Sequence, residues 1–245
     1  MSPCPAGTFP YMTRPGDTLW SLARRYNTAV DAIIAANPGV DPGRLLVGQV
    51  LCIPSGQSAG KGRSFSKAEV DLKSGMRMLW EEHVAWTRMT IISMAANLPD
   101  LDLVTGRLLR NAADFEAALK PLYGNEKASK FGSLMREHLV IAVQLVKAAK
   151  TGDSKAAADA EKKWYANADE IAAYLNSINP NLSRETLTAM LREHLALTKS
   201  EAVARLTGDY ATDIALYDRI EKQALSMADA LTEGIVRQFP DRFLN

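Results

Sequence analysis

Three short segments of this chain share one pattern, which constrains the fold more than any other feature. Each places a glutamate-histidine pair inside an otherwise apolar helical stretch. The pairs are Glu82-His83, Glu137-His138 and Glu193-His194, and they include all three histidines of the chain. Successive histidines are 55 and 56 residues apart, and Thr-Gly recurs at residues 151–152 and 207–208. This period predicts a bundle of about six helices, built as three helical hairpins by repetition of one unit.

The apolar spacing of these helices places the three histidines inside the bundle. Leu79 and His83 share one stripe, and the other two histidines lie on equivalent stripes. An interior imidazole needs hydrogen-bond partners, because an unpaired buried polar group is costly. Asp114 and Asp169 each follow their histidine by 31 residues, so we expect them to face the core beside it. Asp229 follows at 35 residues and is a weaker candidate.

Two other roles for His83, His138 and His194 stay open. Three imidazoles that converge on one site could bind zinc or copper, or they could transfer protons. Helical-bundle metal sites, however, place a glutamate three residues before each histidine. The residues at those positions are Trp80, Met135 and Leu191, which are poor ligands. We therefore expect that the bundle binds no metal and no cofactor. If the alternative hypothesis of a metal site is right, its ligands are the three histidines.

The first part of the chain differs in character from the helical part. Short extended runs at residues 9–13 and 49–53 flank two short helical runs. A Gly- and Ser-rich stretch follows, which is typical of a linker. We predict a small module at residues 1–56, a linker at 57–66 and an all-helical bundle at 67–245. The predicted fold class is mostly α, with a small βααβ module before the bundle.

Turn and capping residues set the order of the small module. Gly16-Asp17-Thr18 is a turn that runs into the first helix, with Asp17 or Thr18 as its N-cap. Thr28 is placed to cap the second helix, and Asn37-Pro38-Gly39 ends it. Residues 49–53 then alternate as a strand.

This strand–helix–helix–strand order closely resembles the LysM family over residues 9–54. The matching features are Gly16 to Leu19, Ile33 with Asn37-Pro38, and Gly48 to Pro54. Members of that family bind chains that contain N-acetylglucosamine, such as peptidoglycan or chitin-like oligosaccharides, in a shallow groove between two loops. The resemblance implies that the glycan-binding residues are Gly16, Asp17, Thr18 and Leu19 in the first loop, and Pro38, Gly39, Val40, Leu45 and Leu46 in the second.

The two cysteines, Cys4 and Cys52, lie near the two ends of this module. If the terminal segments of the module pair, the cysteines come close enough for a disulfide. A bridge over a loop of that length would stabilise the module by about 3–4 kcal/mol and would imply an oxidising location. The alternative is two unpaired thiols.

Composition excludes several classes of function. The chain has 29 Lys and Arg against 28 Asp and Glu, so no basic excess favours a nucleic-acid partner. No stretch reaches the roughly 18 consecutive apolar residues of a membrane span. The first residues lack a basic segment followed by an apolar core, so we expect no signal peptide.

Residues 66–245 resemble a bacterial family of helical-bundle proteins of unassigned function. The resembling features are residues 79–84, 160–171 and 234–240. This second resemblance implies the fold and leaves the chemistry open.

The leading hypothesis is therefore a non-enzymatic protein of a cell wall or spore. The small module binds peptidoglycan, and the bundle serves in packing, self-assembly or binding of a protein partner. The alternative hypothesis is an enzyme or metal-binding protein with its site at His83, His138 and His194.

Overall fold

The structure, a computed structural model, describes residues 4–42, 45–54 and 65–244. The chain divides into two compact units, Met1–Ser66 and Lys67–Asn245. Each unit has buried apolar residues of its own. The predicted linker at residues 57–66 lies mostly outside the described residues.

The small unit has the predicted strand–helix–helix–strand order. Its elements are β1 (Thr8–Met12), α1 (Leu19–Arg25), α2 (Val30–Ala36) and β2 (Val50–Pro54). The two strands pair antiparallel, with Tyr11 opposite Leu51. Successive side chains of a strand point to opposite faces, so Leu51 and Ile53 both enter the core. There they meet Leu22 and Ile33 from the two helices, and these four residues are almost completely buried.

The predicted helix starts of the small unit are right for α1 and wrong for α2. Thr18 caps α1, where its hydroxyl accepts the Ser21 N–H and the Ser21 hydroxyl accepts the Thr18 N–H, both at 3.0 Å. The N-cap of α2 is Ala29, without a side-chain hydrogen bond. The backbone N–H of Thr28 instead bonds the Ala23 carbonyl at 2.8 Å. Thr28 therefore belongs to the turn that ends α1.

The second unit is a helical bundle. Its helices are α3 (Lys67–Ala96), α4 (Leu101–Thr151), α5 (Ser154–Ile178), α6 (Arg184–Thr207) and α7 (Tyr210–Gln238), and a short 3-10 turn, Pro240–Arg242, follows. Gly124 breaks α4 with φ 78° and ψ 172°, a conformation that glycine adopts without a Cβ clash. Because α4 is two helices joined at this kink, the described part of the bundle has six helical segments, in line with the prediction.

Helices that follow one another along the chain pack against each other, and α7 packs back on α3. Two of the tight turns use the same chemistry. Gly152 and Gly208 end their helices in the left-handed conformation, and Asp153 and Asp209 cap the next helices by accepting a backbone N–H. The sequence marks both turns with Thr-Gly. None of the helices in the described ranges is both long and apolar enough to span a membrane.

Candidate functional site

The loop between β1 and α1 is held in shape by the carboxylate of Asp17. Its Oδ2 accepts hydrogen bonds from the backbone N–H of Arg14 and the hydroxyl of Tyr11, both at 2.7 Å. The guanidinium of Arg25 lies 3.4 Å from the other oxygen and donates to the Tyr11 hydroxyl at 2.8 Å. Burial raises the pKa of Tyr11, and the hydrogen bond to Asp17 adds to that effect. The Asp17 side chain is only 5% exposed, so it positions the loop rather than facing solvent.

Asn37 joins the two ends of the loop between α2 and β2. Its Nδ2 donates to the backbone carbonyls of Ile33 at 2.7 Å and Cys52 at 2.8 Å. Its Oδ1 accepts the Cys52 N–H at 2.7 Å. One side chain thus joins the end of α2 to β2 across the base of the loop. From the sequence, Asn37 was expected in the turn that ends the second helix and among the features shared with the LysM family, and its positioning role was missed.

The nine residues expected to bind glycan differ in what they can present to a ligand. Those that are exposed are Gly16, Pro38, Gly39 and Leu46. Val40 and Leu45 are half-buried and pack against the core of the small unit. Thr18 caps α1, and Leu19 is buried in the core at 3% exposure. In the first loop the side chains of Asp17, Thr18 and Leu19 therefore support the backbone, and Gly16 is the exposed one of the four residues predicted there.

Cys4 and Cys52 are joined by a disulfide, with Cα atoms 5.4 Å apart. Cys52 lies on β2 opposite Pro10 of β1. The bridge therefore ties the segment before β1 to the final strand and encloses both loops.

In the bundle, the three hairpins bring the three histidines together. His83, His138 and His194 are each 2% exposed, which confirms the predicted burial. The ring centroid of His83 lies 5.5 Å from that of His194 and 6.2 Å from that of His138. The rings of Trp80 and Trp164 pack beside this cluster. The histidines are therefore neighbours at one place in the bundle core.

Each histidine bonds to an amide side chain on the other helix of its hairpin. The Nδ1-to-oxygen pairs are His83–Asn111 at 3.1 Å, His138–Asn167 at 2.9 Å and His194–Gln223 at 3.1 Å. Each amide nitrogen also donates to the backbone carbonyl four residues before its histidine. Those bonds are Asn111 to Leu79 at 3.0 Å, Asn167 to Leu134 at 3.2 Å and Gln223 to Met190 at 2.8 Å. The predicted aspartate partners were therefore wrong.

The aspartates lie on other faces of the same helices. Asp169 follows Asn167 by two residues, about 200° round the helix, and pairs with Arg192 at 2.7 Å. Asp114 pairs with Arg110 of its own helix at 3.2 Å. Both carboxylates are partly exposed, so they form ion pairs at the bundle surface.

Asp229 is buried but bonds elsewhere, in a series of ion pairs between α3 and α7. Its carboxylate lies 2.9 Å from the guanidinium of Arg77. Further along this interface, Arg88 contacts Asp213 at 2.7 Å and Glu201 of α6 at 2.5 Å. Burial raises the pKa of Glu201 to about 7, although Arg88 opposes that shift. Sequence reasoning missed this network, because its members lie far apart along the chain.

The amide contacts determine which ring nitrogen of each histidine carries the proton. The Asn167 nitrogen donates to the Leu134 carbonyl, so its oxygen faces the imidazole and Nδ1 of His138 must donate. Nε2 then has the lone pair, and it accepts the indole N–H of Trp164 at 3.2 Å. The same assignment follows for His83 and His194 from their own amides.

Burial keeps all three imidazoles neutral. It lowers the pKa of His83 to about 4, and the Asn111 bond opposes the shift only partly. Burial, with the nearby His83, lowers the pKa of His138 to about 3. The pKa of His194 falls well below 6.5 for the same reasons. Within the described residues, no group of three His, Cys, Asp or Glu side chains has the arrangement of a metal site. Both nitrogens of His138 are already hydrogen-bonded.

Comparison with known proteins concerns the small unit. The family model "LysM domain" matches residues 11–54. The secreted LysM effector Blys4 of Beauveria bassiana is 40% identical over 50 residues, which cover 20% of this chain and 29% of that protein. A Bacillus licheniformis protein named as a candidate L,D-transpeptidase, YkuD, is 41% identical over 44 residues, covering 18% of this chain and 27% of that protein. The chain thus matches less than a third of either relative. No solved structure matches it.

The matched region coincides with the strand–helix–helix–strand unit and contains both loops described above. The helical bundle begins after the match ends. Residues 11–54 are therefore a LysM domain, a carbohydrate-binding module, joined to a helical bundle that lies outside the matched region.

Proposed function

We propose that this chain binds N-acetylglucosamine-containing glycan through the two loops of its LysM domain, and that this binding holds the helical bundle at a cell wall. The observation that carries the proposal is the exposed backbone of those loops. The backbone N–H groups of Gly16 and Gly39 make no hydrogen bond with any other described residue. Each can pair with a carbonyl oxygen of an acetamido group.

Hydrogen bonds in the described parts of the loops support the same proposal. Asp17 and Asn37 hold their loops by internal hydrogen bonds, so little ordering is needed when a sugar binds. Leu46, at 60% exposure, offers apolar surface to an acetyl methyl group. A single small domain has a limited contact area, so we expect weak binding to soluble fragments and stronger retention on insoluble polymer.

The proposed location of this protein at a cell wall is supported by the nature of its ligand and by a matched relative. Peptidoglycan and chitin are wall polymers, and one matched relative is named as a secreted LysM protein. The disulfide between Cys4 and Cys52 is stable in oxidising surroundings such as a wall or a spore layer. In this proposal the bundle is the part that is displayed, for self-assembly or for binding a protein partner.

Sedimentation of the full-length protein with insoluble peptidoglycan and chitin tests the proposal, with cellulose as the polymer that lacks acetamido groups. Leu46→Asp should reduce retention about tenfold, because it replaces apolar contact with a charge. Met12→Asp is the matched control, since Met12 is 62% exposed on β1, outside the two loops. Equal retention of both variants, or equal retention on cellulose, would contradict the proposed site.

A further inference from the structure

The helical bundle contains a cleft that the LysM function does not use. It lies between α3, α4, α5 and α6 and has a volume of about 290 Å³. Its walls are mainly aliphatic and include Ile91, Met94, Leu108, Val146 and Ala202. At roughly 30 Å³ for each water-sized group, this volume corresponds to about ten non-hydrogen atoms. The cleft is therefore large enough for a small organic molecule.

One polar group in the cleft lacks a partner. Thr198 of α6 lines the cleft and is 4% exposed, yet its hydroxyl makes no hydrogen bond with any described residue. The other two threonines of the lining differ, because Thr87 donates to the His83 carbonyl at 2.7 Å and Thr90 to the Trp86 carbonyl at 2.9 Å. A buried hydroxyl without a partner is unfavourable. The hydroxyl oxygen is itself buried, so a ligand oxygen would satisfy it once the Thr198 side chain turns toward the cleft.

The charges that line the cleft cancel. Lys199 and Glu161 form an ion pair at 2.6 Å, and both side chains are partly exposed. Because these two charges neutralise each other, the cleft has no net charge to attract an ionic head group. An ion placed against its aliphatic walls would also lose hydration. The lining therefore favours a neutral ligand.

The cleft can be reached from solvent. Ala149, Ser154, Ala158 and Val203 line it and are exposed. Val203 is 47% exposed, which is high for a large apolar side chain. A small molecule can therefore enter between α5 and α6 without unfolding the bundle.

We infer that this cleft is a binding site for a neutral, mainly apolar molecule of about ten non-hydrogen atoms with one hydroxyl or carbonyl oxygen. The aliphatic walls hold the hydrocarbon part, and the oxygen pairs with the Thr198 hydroxyl. This site gives the bundle a ligand of its own, independent of glycan binding by the LysM domain.

Titration of the full-length protein with 1-octanol tests the inference. Binding is followed by calorimetry and by NMR of ¹³C-labelled methionine methyl groups. The Met94 methyl, which lines the cleft, should shift on binding, whereas Met135 and Met227, which line a different cavity, should not. Octanoate and octylammonium should bind at least about tenfold more weakly, because a charge must be desolvated. Uniform shifts of all methionines, or none, would overturn the site, as would equal binding of the charged probes.

Two variants distinguish the contribution of the Thr198 hydroxyl to octanol binding from the contribution of the cleft volume. Thr198→Val keeps the side-chain shape and should weaken octanol binding about fivefold, whereas Thr207→Val on the same helix, outside this cleft, should leave it unchanged. Ala157→Leu fills part of the cleft and should abolish binding, with Ala156→Leu, which does not line it, as the control. Octanol affinity that is the same in Thr198→Val, Ala157→Leu and the wild type would refute the inference.

Discussion

The imidazole of His138 and the amide of Asn167 form one link between the two helices of their hairpin. Nδ1 of His138 lies 2.9 Å from the Asn167 oxygen, and the Asn167 nitrogen donates to the Leu134 carbonyl at 3.2 Å. The indole N–H of Trp164 donates a hydrogen bond to the other ring nitrogen of His138, Nε2. Every polar atom of this buried unit therefore has a partner, which is what a low-dielectric core requires.

Replacement of Asn167 by alanine should destabilise the bundle by about 2–4 kcal/mol. The change leaves the Nδ1–H of His138 without an acceptor, which costs about 1–3 kcal/mol. It also removes the second hydrogen bond to the Leu134 carbonyl, which stays bonded within its own helix, and that loss costs about 0.5–1.5 kcal/mol. Asp169→Ala is the matched control on the same helix. It removes only a partly exposed ion pair with Arg192, so its effect should stay within about 1 kcal/mol. Guanidinium unfolding followed by circular dichroism at 222 nm measures both. An equal loss of unfolding free energy in Asn167→Ala and Asp169→Ala would show that the link between His138 and Asn167 stabilises the bundle no more than a surface ion pair does.

The three histidines should remain neutral in the folded protein well below their ordinary pKa. With pKa values of about 4 for His83 and about 3 for His138, their ring signals should not titrate between pH 7 and pH 5. Nitrogen-15 chemical shifts should report the tautomer with the proton on Nδ1. Titration of any of the three near pH 6.5, the ordinary value, would contradict the buried amide contacts.

The sign of the corresponding stability change follows from proton linkage. The unfolded chain binds a proton at each histidine as pH falls below about 6.5, whereas the folded bundle does not. The histidines therefore contribute stability that is present above pH 6.5 and is lost as pH falls toward their folded pKa values. Glu201 has the opposite effect on the pH dependence of folding stability. Its pKa is raised to about 7, so the stability that it contributes is lost as pH rises.

The helical hairpins and the burial of the histidines were predictable, because apolar periodicity fixes which face of a helix enters the core. The partners were not, since a shift of two residues along a helix, as between Asn167 and Asp169, turns a side chain to another face. One signal in the sequence pointed to the amides. Asn111, Asn167 and Gln223 follow their histidines by 28, 29 and 29 residues, a more regular spacing than that of the aspartates. A neutral imidazole is also better matched by a neutral amide than by a buried carboxylate.

In the LysM domain, features that depend on neighbouring residues could be predicted from the sequence, whereas features that depend on tertiary contacts could not. The cap at Thr18 depends only on the next three residues. The bonds from Asn37 to Cys52 span 15 residues and appear only once β2 is placed beside α2. The cleft beside Thr198 has no sequence signature, because it depends on how four helices leave space between them.

Reduction of the disulfide should destabilise the LysM domain and leave the bundle unchanged. The bridge joins residues 48 positions apart, and a loop of that length stabilises by about 4 kcal/mol in the chain-entropy treatment. Thiol counting in denaturant without reductant should find no free thiol. Unfolding of residues 1–56 should occur at lower temperature after reduction, while residues 66–245, which lack cysteine, should not respond. Two free thiols in the folded, unreduced protein would contradict this.

Asn37 should be required for glycan retention although it does not lie among the exposed loop residues. Its side chain makes three hydrogen bonds that join α2 to β2. Asn37→Ala leaves the N–H and carbonyl of Cys52 unpaired and should destabilise residues 1–56 by about 2–3 kcal/mol. The loop with Pro38, Gly39 and Leu46 then loses its fixed position, so retention on insoluble peptidoglycan should fall even where the domain is still folded.

The choice of temperature separates the effect of Asn37→Ala on stability from its effect on glycan retention. Sedimentation is measured well below the unfolding midpoint of the variant, where the folded fraction is close to that of the wild type. Asp31→Ala, at an exposed position of α2, is the control and should change stability by less than about 0.5 kcal/mol with no change in retention. If folded Asn37→Ala protein is retained as well as the wild type, Asn37 contributes only to stability, and the loop it anchors does not contact the glycan.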